Sequence, residues 1–203
     1  MTPRYLVFEG LDGAGKSTLV RALAQALQAH DHRVRTLAFP GQASAVGRLI
    51  RDVFEGTETV ADEAMLWLFV AEAKDLEPQI AQHLAAHQWV IADRHTLVSS
   101  RVYQGPVHGQ GSVEAVVGPA MLRVPDRVYL LDVPPEVSLA RCEERSGGLA
   151  AYETADLKQL AQRRQAYRQL FDQFLGARIL DGAKSTADLL AEVWRDLGLP
   201  GTP

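Results

Sequence analysis

One segment of the chain has the residue types and the spacing needed to hold the phosphates of a nucleotide. It reads Gly10-Leu11-Asp12-Gly13-Ala14-Gly15-Lys16-Ser17. This fits the P-loop pattern of a glycine, four residues, a glycine, a lysine and a serine or threonine. The glycines let backbone amides approach phosphate oxygens, the lysine reaches the β- and γ-phosphates, and the hydroxyl can ligate Mg²⁺. The segment therefore predicts binding of ATP or GTP together with Mg²⁺.

Three aspartates are candidates for binding magnesium or a second substrate. Asp93 and Asp132 each follow a four-residue apolar run, so their spacing alone does not choose between them as a magnesium ligand. Asp12 lies inside the phosphate loop, where a carboxylate repels phosphate unless a metal ion or a sugar hydroxyl lies between them. The alternative for Asp12 is an aspartate that only stabilises the turn.

The apolar pattern along the chain predicts strands that alternate with helices. Strands are expected at residues 5–8, 34–39, 89–92, 128–131 and 178–180. Helices are expected at residues 19–29, 46–54, 62–87, 112–122, from 135 onward, 154–175 and 186–197. Pro78 should kink or break the third helix. This alternation predicts an α/β fold in which helices cover both faces of a parallel sheet of about five strands. Ligands of such sheets bind at the carboxyl ends of the strands.

Length, charge and cysteine content limit the function classes. The chain has 203 residues and no linker-like segment, which predicts a single domain over residues 1–203. Its net charge of −4 argues against a general nucleic-acid binder. A single cysteine, Cys142, excludes an internal disulfide, and no apolar run is long enough to span a membrane. With no secretory signal pattern at the N-terminus, we expect a cytoplasmic protein.

Five segments of the chain resemble the thymidylate kinase family, and the first of them contains the phosphate loop. The run Phe-Glu-Gly-Leu-Asp-Gly-Ala-Gly-Lys-Ser-Thr at residues 8–18 is similar to the opening of these kinases. Asp-Arg-His at 93–95 and Tyr-Gln-Gly at 103–105 are similar to two of their motifs. Residues 131–137 resemble their fourth strand and the helix after it, and residues 181–185 resemble their adenine-side loop. The chain also lacks the Asn-Lys-x-Asp segment typical of GTPases, which favours a small ATP-dependent kinase.

The resemblance implies a P-loop nucleoside monophosphate kinase that transfers the γ-phosphate of ATP to deoxythymidine monophosphate (dTMP). It implies a homodimer formed through the long helices. It also implies that Ser17 binds Mg²⁺ directly and that Asp93 binds it through water. Asp132 is then a strand-end residue that orders the neighbouring turn. The residues expected to bind ATP are Gly10, Leu11, Asp12, Gly13, Ala14, Gly15, Lys16, Ser17, Thr18, Arg141, Ala183 and Lys184.

The same resemblance assigns residues to phosphoryl transfer and to the acceptor. Those expected to act in transfer are Asp12, Lys16, Arg94 and Arg145, the last of them in a mobile lid at about residues 145–154. Arg94 could instead form a surface salt bridge, and Arg145 could simply complement the dipole at a helix C-terminus. The acceptor-binding residues are expected to be Phe39, Pro40, Phe69, Arg94, Ser99 and Gln104. Without the resemblance, a helical phenylalanine such as Phe69 would more often belong to the core.

The chain departs from the family pattern at three positions where the acceptor should meet an arginine. Ala73 stands four residues after Phe69, Gly41-Gln42 follows Pro40, and Ala151 precedes the Tyr-Glu pair of the lid. Each lost charge-assisted hydrogen bond would cost about 1.5–3 kcal/mol of binding free energy. Candidate substitutes are Arg48, Arg51, Arg101 and Lys74. The alternative acceptors are therefore another nucleotide or a different phosphorylated small molecule. A further alternative is a protein that binds a nucleotide without transferring its phosphate.

Overall fold

The strands of the computed structural model, which describes residues 4–145, 148–150, 153–172 and 176–203, form one parallel sheet of five. They are β1 (Tyr5–Glu9), β2 (Val34–Ala38), β3 (Trp89–Asp93), β4 (Arg127–Asp132) and β5 (Ala177–Asp181). Their order across the sheet is β2-β3-β1-β4-β5. All five residues of β1 are buried. Because successive side chains of a strand point to opposite faces, both faces of the sheet are covered, which confirms the predicted α/β fold.

The helices follow the strands in the expected alternation. They are α1 (Lys16–Ala29), α2 (Ala45–Phe54), α3 (Asp62–Ala85), α4 (Thr96–Tyr103), α5 (Gly105–His108), α6 (Gln110–Val117), α7 (Pro135–Glu143), α8 (Leu157–Phe171) and α9 (Thr186–Asp196). Pro135 opens α7, as predicted, because a proline at the first helical position loses no helical hydrogen bond. Helix α8 begins after Asp156, whose carboxylate caps it. The last three residues predicted for that helix, 173–175, lie outside the described residues.

Helix α3 corrects the expectation of a break at Pro78. The helix is continuous through this proline. Leu76 and Ile80 on either side of it are fully buried. Burying two such side chains stabilises the helix by roughly 1.5–3 kcal/mol each, which offsets the cost of about 3 kcal/mol for an interior proline.

The segment after β3 is more helical than its sequence suggests. Helices α4 and α5 have no counterpart in the predicted elements, and α6 ends at Val117 instead of residue 122. Val98 and Val102, one helical turn apart on α4, are both buried. Their β-branched side chains have low helix propensity, so packing stabilises this helix against its local preference. Gly118 is the C-cap of α6, and beyond it Met121 has a positive φ of 47°, which a continuing helix does not allow.

The strand register brings several chain segments together at the carboxyl edge of the sheet. Phe8 is paired with Asp93 across β1 and β3, and Asp93 is also level with Ala38 of β2. On the other side, Asp132 of β4 is level with Asp181 of β5. The loops that follow these strands therefore face one another. Among the helices that the structure describes, none combines the length and the apolar character required to cross a membrane.

Candidate active site

The phosphate loop between β1 and α1 packs closely against the end of β4 and the start of α7. Gly10 has φ 142°, and a Cβ atom there would lie 2.5 Å from the carbonyl oxygen of Leu131. Gly13 has φ 74°, and a Cβ atom there would lie 2.6 Å from the carbonyl oxygen of Ser138. Both positions therefore need glycine for the backbone conformation and for space. The loop ends at Gly15, the N-cap of α1, which places the amides of the first helical turn beside it.

Lys16 lies almost fully buried over this loop. Its Nζ donates hydrogen bonds to the carbonyl oxygens of Gly10 at 3.0 Å and Leu11 at 2.8 Å. Burial, and then the positive charge of Arg94, lower the pKa of Lys16, although nearby carboxylates oppose the shift. The ammonium group is thus held at the turn where the sequence predicts the nucleotide's phosphates. Thr18, also predicted to bind ATP, is exposed on the first turn of α1.

Ser17 and Asp93 meet at the end of β3. The Ser17 hydroxyl donates a hydrogen bond to a carboxylate oxygen of Asp93. A hydroxyl and a carboxylate are oxygen donors of the kind that Mg²⁺ prefers. Within the described ranges, no group of three or more His, Cys, Asp or Glu side chains is arranged to hold a metal ion. A pair of oxygen donors such as Ser17 and Asp93 suits an ion that takes most of its ligands from water and phosphate, as Mg²⁺ usually does.

Asp132, the other candidate from the sequence, binds a helix instead of the neighbouring turn. Its carboxylate accepts hydrogen bonds from Arg164 at 2.6 and 2.8 Å and from Arg168 at 2.8 Å, both on α8. These ion pairs hold the pKa of Asp132 below its ordinary value, against the effect of burial. The expectation that this side chain orders the turn after β4 is therefore wrong. Its charge is neutralised by α8.

Arg94 joins the phosphate loop to α8. Its Nη2 donates to Asp12 at 2.6 Å, and its Nη1 donates to the Tyr167 hydroxyl at 2.7 Å. The Arg94 side chain is only 14% exposed, so this ion pair is not the surface salt bridge considered as an alternative. Burial alone would raise the pKa of Asp12, but Arg94 and then Lys16 hold it below its ordinary range. The Asp12 carboxylate therefore stays ionised and positions the arginine instead of stabilising its own turn.

Glu9, to which the sequence assigned no role, is fully buried beneath this ion pair. One of its oxygens accepts from the His95 amide at 2.8 Å and the Ser99 hydroxyl at 2.9 Å. The other accepts from the Tyr167 hydroxyl at 2.9 Å and lies 3.5 Å from Arg94. Burial raises the pKa of Glu9 even though Arg94 and these donors lower it. The Ser99 hydroxyl, expected at the acceptor, is thus bonded to Glu9.

Of the aromatic residues expected at the acceptor, Phe39 follows β2 directly and Phe69 lies in the N-terminal half of α3. The Phe39-Pro40 peptide is cis, and the buried Phe39 ring lies 5.3 Å from the His95 ring. Phe69 is partly buried, with its ring centroid 6.2 Å from that of Phe54 on α2. Gln104 is also only partly buried. Phe69 is therefore neither wholly core nor freely exposed, and its ring contacts α2.

Glu72 on α3 fixes the segment that follows Pro40. Its Oε1 accepts a hydrogen bond from the Gly41 amide at 2.8 Å, and a Cβ atom on Gly47 would lie 2.2 Å from the same oxygen. The side chain is fully buried, and burial raises its pKa to about 7. The neighbouring Ala73 is buried in the main core and offers no polar group.

Glu72→Gln should change how the free energy of unfolding depends on pH. The unfolded chain ionises this glutamate above about pH 4.5, whereas the folded protein does so only near pH 7. Because the unfolded state releases its proton first, the wild type should lose stability between these values, by up to about 3 kcal/mol. Urea unfolding at pH 5 and pH 8 measures this loss, which Glu72→Gln should remove and the exposed control Glu63→Gln should keep. Equal pH slopes for wild type and Glu72→Gln would contradict the expectation.

The residues predicted to bind ATP outside the phosphate loop lie on α7 and in the turn after β5. Arg141 on α7 donates to the carbonyl oxygen of Gly182 at 3.0 Å, which places it beside the turn containing Ala183. Lys184 directs its ammonium group to Glu192 of α9 at 2.9 Å. Arg145, just after α7, is paired with Glu153. Residues 146–147 and 151–152 of the predicted lid, including Ala151, lie outside the described residues.

Most of the cations considered as substitutes for the missing arginines are bonded elsewhere. Arg101 binds Glu114 at 2.8 Å, Lys74 binds Glu77 at 2.6 Å, and Arg48 donates to the Gln42 carbonyl at 2.9 Å. Sequence reasoning missed a different cation, Arg163 of α8. Its guanidinium carbon lies 4.7 Å from the ring centroid of Tyr103. The signal that could have found it is its place four residues before Tyr167 on one face of a helix.

Comparisons with known proteins agree with this arrangement. A family model described as thymidylate kinase matches residues 8–193. The chain is 34% identical over 197 residues to the thymidylate kinase of Ruegeria pomeroyi, covering 95% of this chain and 93% of that protein. It is 33% identical over 175 residues to that of Glaesserella parasuis, covering 84% and 83%. To that of Magnetococcus marinus it is 30% identical over 210 residues, covering 97% and 96%. By matches of this length and identity, the chain belongs to the thymidylate kinase family.

Proposed function

We propose that this protein transfers the γ-phosphoryl group of Mg²⁺-bound ATP to dTMP, giving dTDP and ADP. The observation that carries the proposal is the Asp12–Arg94 ion pair, which joins the phosphate loop to the end of β3 beside Lys16. It places a guanidinium group between the loop that would hold the donor and the residues that would hold the acceptor. Phosphoryl transfer depends mainly on such positioning and on neutralisation of phosphate charge.

We assign the donor site to the phosphate loop and to the turn after β5. Backbone amides of residues 10–18 bind the phosphates, and Lys16 exchanges its loop carbonyls for phosphate oxygens. Arg141 packs on the adenine ring, because its bond to Gly182 holds it beside the turn of Ala183 and Lys184. Ser17 and, through water, Asp93 would hold Mg²⁺, which when bound neutralises charge on the transferred group.

In the transfer step, an oxygen of the acceptor's phosphate forms a bond to the γ-phosphorus as the bond to the bridging oxygen of ADP breaks. Lys16 and Arg94 stabilise the charge on the transferred group, and Asp12 keeps the Arg94 guanidinium oriented. Arg145 joins them when the lid, residues 145–154, closes and the arginine leaves Glu153. We place the acceptor's base and sugar against Phe39, Pro40, Phe69 and Gln104, while Ser99 acts indirectly through Glu9.

We also propose that residues 1–203 form one kinase domain and that two copies pair through α3. Trp67 on this helix is 60% exposed, an unusual position for so large an apolar side chain, and this supports a contact there. Sedimentation of wild type and Trp67→Glu tests the pairing, since the charge should convert a dimer to monomers. The cytoplasmic location stays a prediction.

A coupled assay of ADP formation with a panel of nucleoside monophosphates tests the proposed reaction. We expect the highest kcat/KM with dTMP, lower values with dUMP, dCMP, dGMP and dAMP, and little ADP formation without an acceptor. A clear preference for another monophosphate would contradict dTMP as the acceptor. ATP binding in calorimetry without turnover of any acceptor would contradict transfer itself and leave a nucleotide-binding protein.

A further inference from the structure

Arg163 of α8 is a cation beside the transfer site with no role in the proposed mechanism. Its guanidinium carbon lies 4.7 Å from the ring centroid of Tyr103, and that of Arg94 lies 5.0 Å from the same centroid. The Tyr103 ring therefore brings the two arginines together. Because Arg94 also bonds to Asp12, Arg163 lies at the edge of the same cluster as the phosphate loop.

The charge of Arg163 is not balanced as those of its neighbours are. Arg94 is paired with Asp12, and the next arginine on the helix, Arg164, is paired with Asp132. Among the residues that the structure describes, no carboxylate lies within ion-pair distance of Arg163. Its positive charge nevertheless reaches the site, since it is one of the charges that lower the pKa of Asp12. A partly buried guanidinium group without a counter-ion is suited to an anionic ligand.

The contact with Tyr103 also leaves the hydrogen-bonding groups of Arg163 available. A guanidinium group that lies against an aromatic ring is held by cation–π attraction, while its N–H donors lie in its own plane. Those donors match two oxygens of a phosphate in a bidentate arrangement. Tyr103 is itself fixed by the buried Tyr167 ring, 6.2 Å away at an interplanar angle of 77°.

We propose that Arg163 binds the phosphate group of the acceptor nucleotide. The inference rests on the proposed kinase function and deepens it. In the loop after β2, Gln42 stands where the family resemblance implies a phosphate-binding arginine, and Arg48 donates a hydrogen bond to the Gln42 carbonyl. Arg163 supplies the missing charge from the other side of the site, on a helix instead of a loop. Tyr103 is the positioning residue that orients it.

Binding of dTMP and of thymidine, which lacks the phosphate, tests this assignment by calorimetry. Loss of one charge-assisted bond in Arg163→Gln should weaken dTMP binding by about 10- to 100-fold. Thymidine binding, ATP binding and the melting temperature should not change. Arg163→Lys should recover part of the dTMP affinity, because it restores the charge without the fork. Arg21→Gln, at an exposed position of α1, makes the same change in net charge and should have no effect.

The outcomes separate this inference from the proposed function. If wild type turns over dTMP normally and Arg163→Gln binds dTMP as tightly as wild type, Arg163 is not an acceptor ligand. If the variant weakens dTMP and thymidine equally, its effect is on packing and the phosphate assignment is wrong. If wild type neither binds nor phosphorylates dTMP, the proposed function itself fails, and the role of Arg163 fails with it.

Discussion

Replacing Lys16 by methionine should lower kcat for dTMP-dependent ADP formation by about three orders of magnitude, corresponding to roughly 4 kcal/mol in the activation free energy. Methionine has a similar length but no charge, so it removes the ammonium group that bonds to Gly10 and Leu11 over the phosphate loop. Because this charge should act on the phosphates, the increase in the activation free energy should exceed the decrease in the free energy of unfolding. The coupled assay at saturating ATP and dTMP measures the effect.

The matched control for this prediction is Lys158→Met, the same substitution at an exposed position in the first turn of α8. It should retain wild-type kcat, which shows that loss of a lysine alone does not reduce activity. Retention of more than about a tenth of the wild-type kcat by Lys16→Met would mean that Lys16 does not stabilise the transferred group.

Arg94→Ala should be impaired in both catalysis and stability. Loss of a guanidinium group that neutralises a transferred phosphoryl group lowers kcat by about 10³- to 10⁵-fold. The substitution also leaves the buried Glu9 and the partly buried Asp12 without this cation, which should cost about 3–5 kcal/mol of the free energy of unfolding. Arg94→Lys should lie between this variant and wild type, because it keeps the charge but loses the paired donors to Asp12 and Tyr167. The coupled assay and urea unfolding measure the two effects.

A double variant separates the two consequences of losing Arg94. Asp12→Asn combined with Arg94→Ala removes one of the unpaired carboxylates, so it should be more stable than Arg94→Ala while kcat stays low. Recovery of kcat along with stability would show that Arg94 serves only the fold. Wild-type stability of Arg94→Ala would contradict the buried ion-pair cluster itself.

The sheet and the phosphate loop were the most predictable parts of the molecule. A buried strand needs a short apolar run, and a phosphate loop needs glycines at fixed spacing, so both are local patterns in the chain. All five strands lie within two residues of their predicted bounds. The contacts of Asp132 were different in kind. Its place after an apolar run matches that of Asp93, and only the folded chain shows that α8 neutralises it, through a contact between residues far apart in sequence.

The rest of the site escaped prediction for the same reason. Glu9 reads as the polar end of a strand, and only folding brings Tyr167 and Ser99 to its carboxylate from α8 and α4. Arg163 was one of many arginines until the packing of α8 placed it over Tyr103. Helix α4 was missed because the packing of its valines, not their helix propensity, stabilises it.

The attachment of α8 to the end of β4 divides the site's positive charges into two kinds. Asp132 ties down Arg164 and Arg168, one turn apart, and so sets the direction of the whole helix without any substrate. Tyr167 projects from that anchored helix to Glu9 and Arg163 to the Tyr103 ring, so Arg163, the proposed phosphate ligand, is preorganised and would need little rearrangement. Arg145 lies at the boundary of the predicted lid and, in the proposed mechanism, exchanges Glu153 for the transferred group. In that mechanism the acceptor meets a group that is already in position, and only the transfer step waits for a side chain to move.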